Sequence, residues 1–291
     1  MRRKITVVGA GNVGATCAQR LAERDYADVV LVDSDSDDPA SLALDLNIAS
    51  AMRHYAPTVV GSNDFIDMSG SAIVVLTTPA DGVAAAAAEV RDRAPDSTMV
   101  VVADPVEPMC HAAYDVTVFA RERVVGVASN VHSAAFRLAL ARELRVSVRD
   151  ISAVVLGGHG NVVPVLSCAT VAGMPIRRRI PEERLEQIAQ GIRDSRDALT
   201  LSGETSLSSA ASAAVLDVVD AVVRDQRRVL PCAALCKGEY GFEEVFVGLP
   251  VKLGAGGIDE IVEMDLDDDE RRGLAESARA VEEALAQLKA G

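Results

Sequence analysis

The stretch KITVVGAGNVG, residues 4–14, decides the fold of this chain. A β-branched apolar run leads into glycines spaced GxGxxG, and a helical pattern follows them. Gly9 would permit a tight turn, Gly11 would let the backbone approach a pyrophosphate, and Gly14 would let helix and strand pack closely. Because a helix N-terminus presents free N–H groups to phosphates, Asn12 and Val13 also belong to the predicted dinucleotide site.

An acidic residue at the end of the second predicted strand indicates which dinucleotide binds. Asp33 closes DVVLVD, residues 28–33, and lies 19 positions after the last glycine of the motif. Its carboxylate would accept hydrogen bonds from the ribose hydroxyls and repel a 2′-phosphate, and Asp35, Asp37 and Asp38 add negative charge. We therefore predict NAD rather than NADP. The alternative is a glycine-rich turn beside an unrelated surface aspartate, and it is disfavoured because both features occur together.

Short apolar runs recur through the first half of the chain and alternate with helical patterns. The runs are apolar throughout, which is typical of parallel strands buried on both faces. Such a series favours a doubly wound sheet, and Thr77, Val102 and Ala103 at the strand ends are assigned to the cofactor. The predicted strands span residues 4–10, 28–33, 58–62, 72–78, 98–103 and 124–129.

The pattern changes near residue 133, where we place a domain boundary. Residues 1–133 are predicted to form an N-terminal Rossmann domain, an α/β unit with a doubly wound parallel sheet that binds NAD. Residues 134–291 mix helical stretches with hairpin-like strands and end in an acid-started amphipathic helix. We expect an α+β substrate and catalytic domain there.

The composition argues against several classes of partner. The 291 residues carry 29 basic and 43 acidic side chains, giving a net charge of −14 without a basic stripe. Such a surface repels nucleic acid and anionic membranes. The N-terminus resembles a first strand rather than a signal peptide, and no uncharged apolar stretch is long enough to cross a bilayer. We expect a cytoplasmic protein with no nucleic-acid or membrane partner.

The five cysteines are interpreted as buried, reduced thiols of a cytosolic protein. Cys232 and Cys236 are four residues apart, a spacing that suits one face of a helix. A zinc site would need further Cys or His residues at set spacings, which Cys17, Cys110 and Cys168 do not provide.

A histidine lies between glycines in GGHGNVV, residues 157–163, directly after the apolar run ISAVVL. Imidazole titrates near neutral pH, so His159 can act as a base and as an acid in turn. His54 and His111 lie outside any motif, and we expect them at the surface or on the side of a helix.

Three segments together resemble the malate and lactate dehydrogenases, most closely the lactate-dehydrogenase-like malate dehydrogenases. They are GAGNVGATCAQRLAERDYADVVLVD, LGGHG and VFVGLPVKLGAGGIDEIVEMDLDDDE. The resemblance implies that His159 passes a proton to or from the substrate hydroxyl while a hydride moves to or from the nicotinamide of NAD. It also implies a small-molecule substrate and a homodimer or homotetramer.

Residues expected around this histidine depart from that family. The aspartate that orients the histidine is replaced by His132, and the arginine that grips the substrate carboxylate is replaced by Ala135. The asparagine that bonds the reacting oxygen is replaced by Asp104. Leu207 falls near the substrate in the same alignment and adds no polar group.

The segment that corresponds to the mobile lid of that family also differs from the family pattern. The family carries two arginines there, whereas TTPADGVAAAAAEV, residues 77–90, is shorter and is followed by its first arginine, Arg91, along the next predicted helix. Without a forked guanidinium, a 2-oxo or 2-hydroxy carboxylate loses its charge-assisted anchor. We therefore expect malate and lactate to be poor substrates.

Three hypotheses about function remain open at this point. The first is an NAD-dependent oxidoreductase acting on a non-standard substrate, with His159, His132 and Asp104 as its catalytic residues. The second is a non-catalytic NAD-binding relative that acts as a sensor or partner subunit. The third is a transition-metal site, because two histidines and one carboxylate form a common ligand set. For these three residues a hydrogen-bonded cluster without metal is favoured over the metal site.

Overall fold

The computed structural model describes residues 2–34, 38–56, 58–127, 129–158, 161–194 and 208–290, with the side chains of residues 289 and 290 excepted. Its first half is a parallel sheet whose strands are β1 (Arg3–Val8), β2 (Ala27–Val32), β3 (Val59–Ser62), β4 (Ile73–Leu76), β5 (Thr98–Val101) and β6 (Val124–Gly126). They pair in the order β6-β5-β4-β1-β2-β3. The strand order therefore reverses between β1 and β4, where doubly wound sheets open a ligand crevice at the carboxyl ends. The predicted doubly wound sheet is confirmed.

Helices cover the two faces of this sheet and connect its strands. The second of them begins after Asp38, whose carboxylate accepts a hydrogen bond from the N–H of Ser41 at 2.8 Å, and ends at His54 in a left-handed conformation. The alanine run 84–88 is helical, as its high helix propensity predicts. The helices are α1 (Asn12–Ala22), α2 (Pro39–Arg53), α3 (Val83–Arg93) and α4 (Val106–Thr117).

An antiparallel extension joins the parallel sheet at β6. It consists of β12 (Arg228–Lys237), β13 (Glu243–Gly254) and β14 (Gly257–Ile261), and β12 meets β6 where Ala233 pairs with Gly126. The helical interpretation of the cysteine spacing was wrong, because Cys232 and Cys236 both lie in β12 and are buried there. Residues four apart share a face in a strand as well as in a helix, so the spacing does not distinguish the two.

The second half of the chain mixes helices and short strands. The elements are α5 (Ser129–Leu144), β7 (Ile151–Ser152), β8 (Val155–Gly158), β9 (Asn161–Pro164), β10 (Thr170–Val171), β11 (Met174–Pro175), α6 (Glu182–Asp194), α7 (Ser208–Val223) and α8 (Asp268–Ala290). Strands β8 and β9 pair antiparallel, and β7, β10 and β11 form a small antiparallel sheet.

The apolar core does not divide at residue 133. The largest cluster of buried side chains combines the parallel sheet with residues of α7 and β12, including Val215, Val218 and Cys232. A second cluster lies around α5 and α6, and a third lies between β13 and α8. The proposed boundary falls inside α5, so the domain limits 1–133 and 134–291 stay a prediction.

The described part of the chain contains no helix with the length and apolar content that crossing a bilayer requires.

Candidate active site

A cavity of about 930 Å³ opens at the carboxyl ends of β1, β2, β4 and β5. The loop between β1 and α1 forms one wall, and the segment after β4 forms another. The predicted cofactor residues that line it are Gly9, Gly11, Asn12, Val13, Asp33, Thr77, Val102 and Ala103. Predicted residues therefore lie on both walls of the cavity.

The glycines of the motif have three different surroundings. Gly9 has φ of +104°, a conformation that glycine adopts freely. Gly14 lies behind the cavity, where a Cβ would collide with the carbonyl oxygen of Gly9 and lie 2.7 Å from the Thr77 hydroxyl. Gly11 faces open space, with no atom within 4 Å of a Cβ placed there. Packing therefore requires Gly14, whereas the room beside Gly11 is left for a ligand.

Asp33 lies between the glycine loop and the cavity. Its Oδ2 accepts a hydrogen bond from the N–H of Ala10 at 2.6 Å. The same half-buried side chain lines the cavity, where its carboxylate can accept bonds from a ribose. Asp38 is instead used as the N-cap of α2, and Asp35 and Asp37 lie outside the described residues.

Sequence reasoning missed much of the wall that follows β4. The signal was present, because polar and small residues directly follow an apolar strand and precede a helix in TTPADG, residues 77–82. The cavity is also lined by Ser34, Phe65, Thr78, Pro79, Asp81, Gly82, Ala85, Ala86 and Glu89.

The connection from β4 to α3 is short, as the sequence indicates. Residues 77–82 separate the strand from the helix and include a 3-10 turn, Ala80–Gly82. Arg91 lies in the last turn of α3 and forms an exposed ion pair with Asp92 at 2.7 Å. The prediction that Arg91 lies well along the helix is confirmed.

Helix α5 carries the predicted substrate-side residues and packs along β8. The Ser129 hydroxyl donates to the carbonyl of Gly157 at 3.0 Å, and the Ser133 hydroxyl accepts from the N–H of Val155 at 2.9 Å. These bonds fix the half-buried His132 beside the strand from which His159 follows in sequence. Ala135 packs against the cluster of α5 and α6. His159 and Leu207 lie outside the described residues.

Asp104 lies between β5 and α4, directly after the cavity residue Ala103, and is half-buried. Asp104 and His132 each take part in a polar or electrostatic interaction. Among the described residues, no group of three or more His, Cys, Asp or Glu side chains is arranged to hold a metal ion. Because His159 is outside this part of the chain, the metal hypothesis for Asp104, His132 and His159 stays untested.

A buried acid that the sequence analysis did not single out lies in the first turn of α4. Glu107 is 2% exposed, and a Cβ on Gly158 would collide with its carboxylate. Burial and the nearby Glu107 raise the pKa of the Cys110 thiol well above its usual range. Glu107 in DPVEPMC, residues 104–110, belongs to no periodic pattern, so only the structure shows its position.

His111 lies on the side of helix α4, one of the two placements expected for it, and it is only 8% exposed. Its Nε2 accepts a hydrogen bond from the N–H of Phe246 at 3.4 Å, and its ring lies edge-on to the Phe246 ring. His54, in contrast, is exposed at the end of α2.

The cavity fits a dinucleotide. The N-cap of α1 is Gly11, which has no side chain to occupy the free N–H groups of the first turn. Open space lies beside that residue, and the carboxylate of Asp33 lines the same cavity. A pyrophosphate would therefore be held by backbone N–H groups of residues 11–13, and the adenosine ribose by Asp33.

Two family models match the chain and together span most of it. The model described as lactate/malate dehydrogenase, NAD binding domain, matches residues 3–82. The model described as lactate/malate dehydrogenase, alpha/beta C-terminal domain, matches residues 131–290. The malate dehydrogenase of Thermomicrobium roseum is 39% identical over 99% of this chain and 99% of its own length.

Solved structures agree with this assignment. The malate dehydrogenase of Salinibacter ruber superposes with a TM-score of 0.93 at 38% identity, covering 98% of this chain and 97% of that one. The lactate dehydrogenase of Cryptosporidium parvum, complexed with lactic acid and nicotinamide adenine dinucleotide, superposes with a TM-score of 0.95 at 28% identity, covering 100% and 99%. The cofactor is therefore NAD, and the chain belongs to the lactate/malate dehydrogenase family of NAD-dependent dehydrogenases.

Proposed function

We propose that the chain transfers a hydride between NAD and a small hydroxy or oxo compound other than malate and lactate. The observation that carries the proposal is Ala135, an apolar side chain on α5 at the position where the family resemblance places a guanidinium. Ala135 packs against the cluster of α5 and α6. A substrate carboxylate would find no forked, charge-assisted donor from this residue.

Negative charge beside the cavity supports the same conclusion. Asp104 directly follows a residue of the cavity wall, and Asp81 and Glu89 belong to that wall. Like charges placed next to each other disfavour binding. A neutral or cationic substrate therefore suits this site better than a dicarboxylate does.

The short connection after β4 is a third support. It has no arginine between Thr77 and Gly82, and Arg91 is paired at the far end of α3. A short connection covers less of the cavity than a long lid does. The proposed substrate can therefore be larger than malate.

The proposed chemistry is a proton transfer coupled to hydride transfer. NAD, when bound, supplies the nicotinamide that accepts or donates the hydride. His159 takes the proton of the substrate hydroxyl during oxidation and returns it during reduction. His132 and Asp104 are the proposed neighbours of the reacting group.

Initial rates of NADH oxidation across a panel of ketones, aldehydes and imines test the proposal. Oxaloacetate and pyruvate serve as reference substrates, because the matched relatives are named malate dehydrogenase. We expect at least one uncharged or cationic carbonyl compound to exceed oxaloacetate in kcat/KM by about 100-fold, or about 2.7 kcal/mol. Oxaloacetate as the preferred substrate would contradict the proposed specificity. NADH binding without turnover of any compound would favour the non-catalytic hypothesis.

We also propose that the protein is a cytoplasmic homo-oligomer. Leu44, Ile48 and Met52 are 57–70% exposed at four-residue spacing along one face of α2. All five cysteines are free thiols, as a reducing compartment favours. Sedimentation equilibrium should give a multiple of 30.5 kDa, and Ile48→Glu should reduce it to the monomer. A monomeric wild type would contradict the assembly.

A further inference from the structure

The cofactor cavity is lined by an aromatic ring and a carboxylate that the glycine motif does not account for. They belong to Phe65 and Glu89. Phe65 opens the 3-10 turn Phe65–Met68, which follows β3, and Glu89 lies on α3. In nucleotide sites, an aromatic side chain can stack on the face of a base, and a polar side chain can hydrogen-bond to its edge.

Hydrogen bonds tie this 3-10 turn to helix α3. The N–H of Gly70, two residues after the turn, donates to the carbonyl of Arg93 in the last turn of α3 at 3.2 Å. The carboxylate of Asp64 accepts a hydrogen bond from the N–H of Ile66 at 2.8 Å and caps the 3-10 turn. Phe65 packs against the main apolar cluster. The segment that carries the ring is therefore joined to the helix that carries the acid.

One oxygen of the Glu89 carboxylate is already bonded within the helix. Its Oε2 accepts a hydrogen bond from Nε of Arg93 at 2.6 Å, and the Glu89 side chain is 36% exposed. This hydrogen bond, together with nearby carboxylates that include Asp64, raises the pKa of Arg93. In the described part of the chain, no donor is bonded to the other oxygen, Oε1. The arginine therefore orients the carboxylate and leaves one oxygen available to a ligand.

The places of the other cofactor groups indicate which part of a dinucleotide meets these residues. The pyrophosphate would be held by the N–H groups of residues 11–13 and the adenosine ribose by Asp33, directly after β2. The base is attached to the ribose carbon remote from the phosphates, so it extends away from the glycine loop. In the sheet, β3 lies beyond β2 as seen from β1, and Phe65 follows β3. This order favours adenine as the neighbour of Phe65 and Glu89.

We propose that Glu89 makes the cofactor site selective for adenine, by accepting a hydrogen bond from the 6-amino group while Phe65 stacks on the ring. A carboxylate accepts such a bond strongly because the acceptor is ionised. Hypoxanthine carries a carbonyl oxygen at the same position, so in the same orientation two acceptors would face each other without a proton between them. This selection adds to the ribose recognition by Asp33 and does not depend on the substrate.

Fluorescence titrations of the full-length protein with NADH and with reduced nicotinamide hypoxanthine dinucleotide test the inference. The two compounds differ only in the purine base. We expect the Kd of the wild type for NADH to be at least about tenfold lower than that for the hypoxanthine analogue, as for a hydrogen bond to a charged group. Glu89→Gln presents an amide that can accept from an amino group and donate to a carbonyl, so the preference should fall below about threefold.

Asp92→Asn is the matched control for the loss of charge. Asp92 lies on the same helix, is exposed and forms an ion pair with Arg91, and neither residue lines the cavity. This variant should retain both Kd values. Phe65→Leu should weaken binding of the two dinucleotides by the same factor, because every base has a π face. Unaltered binding by Phe65→Leu would contradict the stacking.

Equal affinity of the wild type for the two dinucleotides would overturn the inference. So would a folded Glu89→Gln that keeps the full preference, or that changes both Kd values by one factor, since Glu89 would then act through its charge alone. If the Gln variant does not fold, Glu89→Asp decides, because its shorter side chain withdraws the carboxylate and should reduce the preference. An unchanged preference in Glu89→Asp would then contradict the inference. Binding needs no turnover, so a failed search for substrates leaves this test intact.

Discussion

The carboxylate of Asp33, at the end of β2, accepts a hydrogen bond from the N–H of Ala10 at 2.6 Å. This bond ties the second strand to the glycine loop and holds the acid at the cavity that the loop opens. One side chain thus helps to shape the phosphate loop and presents negative charge where an adenosine ribose would lie.

Replacing Asp33 should change cofactor choice. Asp33→Ala removes the ribose acceptor and the repulsion of a 2′-phosphate, so we expect NADH to bind at least about tenfold more weakly and NADPH to be discriminated less. Asp38→Ala is the matched control, because it removes an N-cap, costs about 1 kcal/mol of stability and leaves cofactor preference unchanged. Fluorescence titration with NADH and with NADPH measures cofactor binding by each of the two variants. An unchanged NADH to NADPH ratio in Asp33→Ala would contradict the assignment.

Substitutions at two glycines of the motif should have different effects, one on stability and the other on cofactor binding. At Gly14 a Cβ meets the Gly9 carbonyl, so Gly14→Ala should lower the free energy of unfolding by about 1–3 kcal/mol. Gly11 faces open space, so Gly11→Ala should keep the melting temperature and weaken NADH binding by at least about tenfold. Thermal melts and NADH titrations of both variants check this. Equal losses of stability in the two variants would show that Gly11 also serves packing.

A guanidinium restored on α5 should recruit carboxylate substrates. We expect Ala135→Arg to raise kcat/KM for oxaloacetate by about tenfold or more, the worth of a charge-assisted hydrogen bond. Ala134→Arg is the control, because it adds the same charge to an exposed neighbouring position of the same helix. The two variants should differ clearly in steady-state assays. Equal increases in kcat/KM in the two variants would mean that added positive charge alone, rather than a hydrogen bond directed from position 135 to the substrate carboxylate, raises turnover.

Thiol reactivity should follow burial. Burial raises the pKa values of Cys17, Cys232 and Cys236 to about 12 each, so near pH 8 only on the order of one in ten thousand of these thiols is ionised. The thiolate is the reacting form, so these cysteines should react slowly and faster as the pH rises. A disulfide reagent should therefore modify one thiol rapidly in the native protein, the partly exposed Cys168. Cys168→Ser should remove the rapid phase of thiol modification. Rapid modification of two or more thiols would contradict the burial of the other cysteines.

The half of the chain that binds the cofactor could be predicted in detail from the sequence, because the motifs that define it are local. Glycine spacing, the apolar strand runs and the acid at Asp33 each report a short-range requirement of the backbone or the phosphate site. Cys232 and Cys236 were misassigned because residues four apart share a face in both regular structures. Glu107 was missed, and the burial of His111 was not foreseen, because these features depend on contacts with Gly158 and Phe246, which are far away in sequence.

Binding of a non-reacting dicarboxylate, hydroxymalonate, to the NADH-saturated protein tests the central claim most directly. Calorimetry should first show NADH uptake by the cavity. We then predict a Kd for hydroxymalonate above about 1 mM, because the apolar side chain of Ala135 offers no cationic group to bind a carboxylate. A Kd in the micromolar range would contradict the account, since it would require another guanidinium or ammonium group in the site.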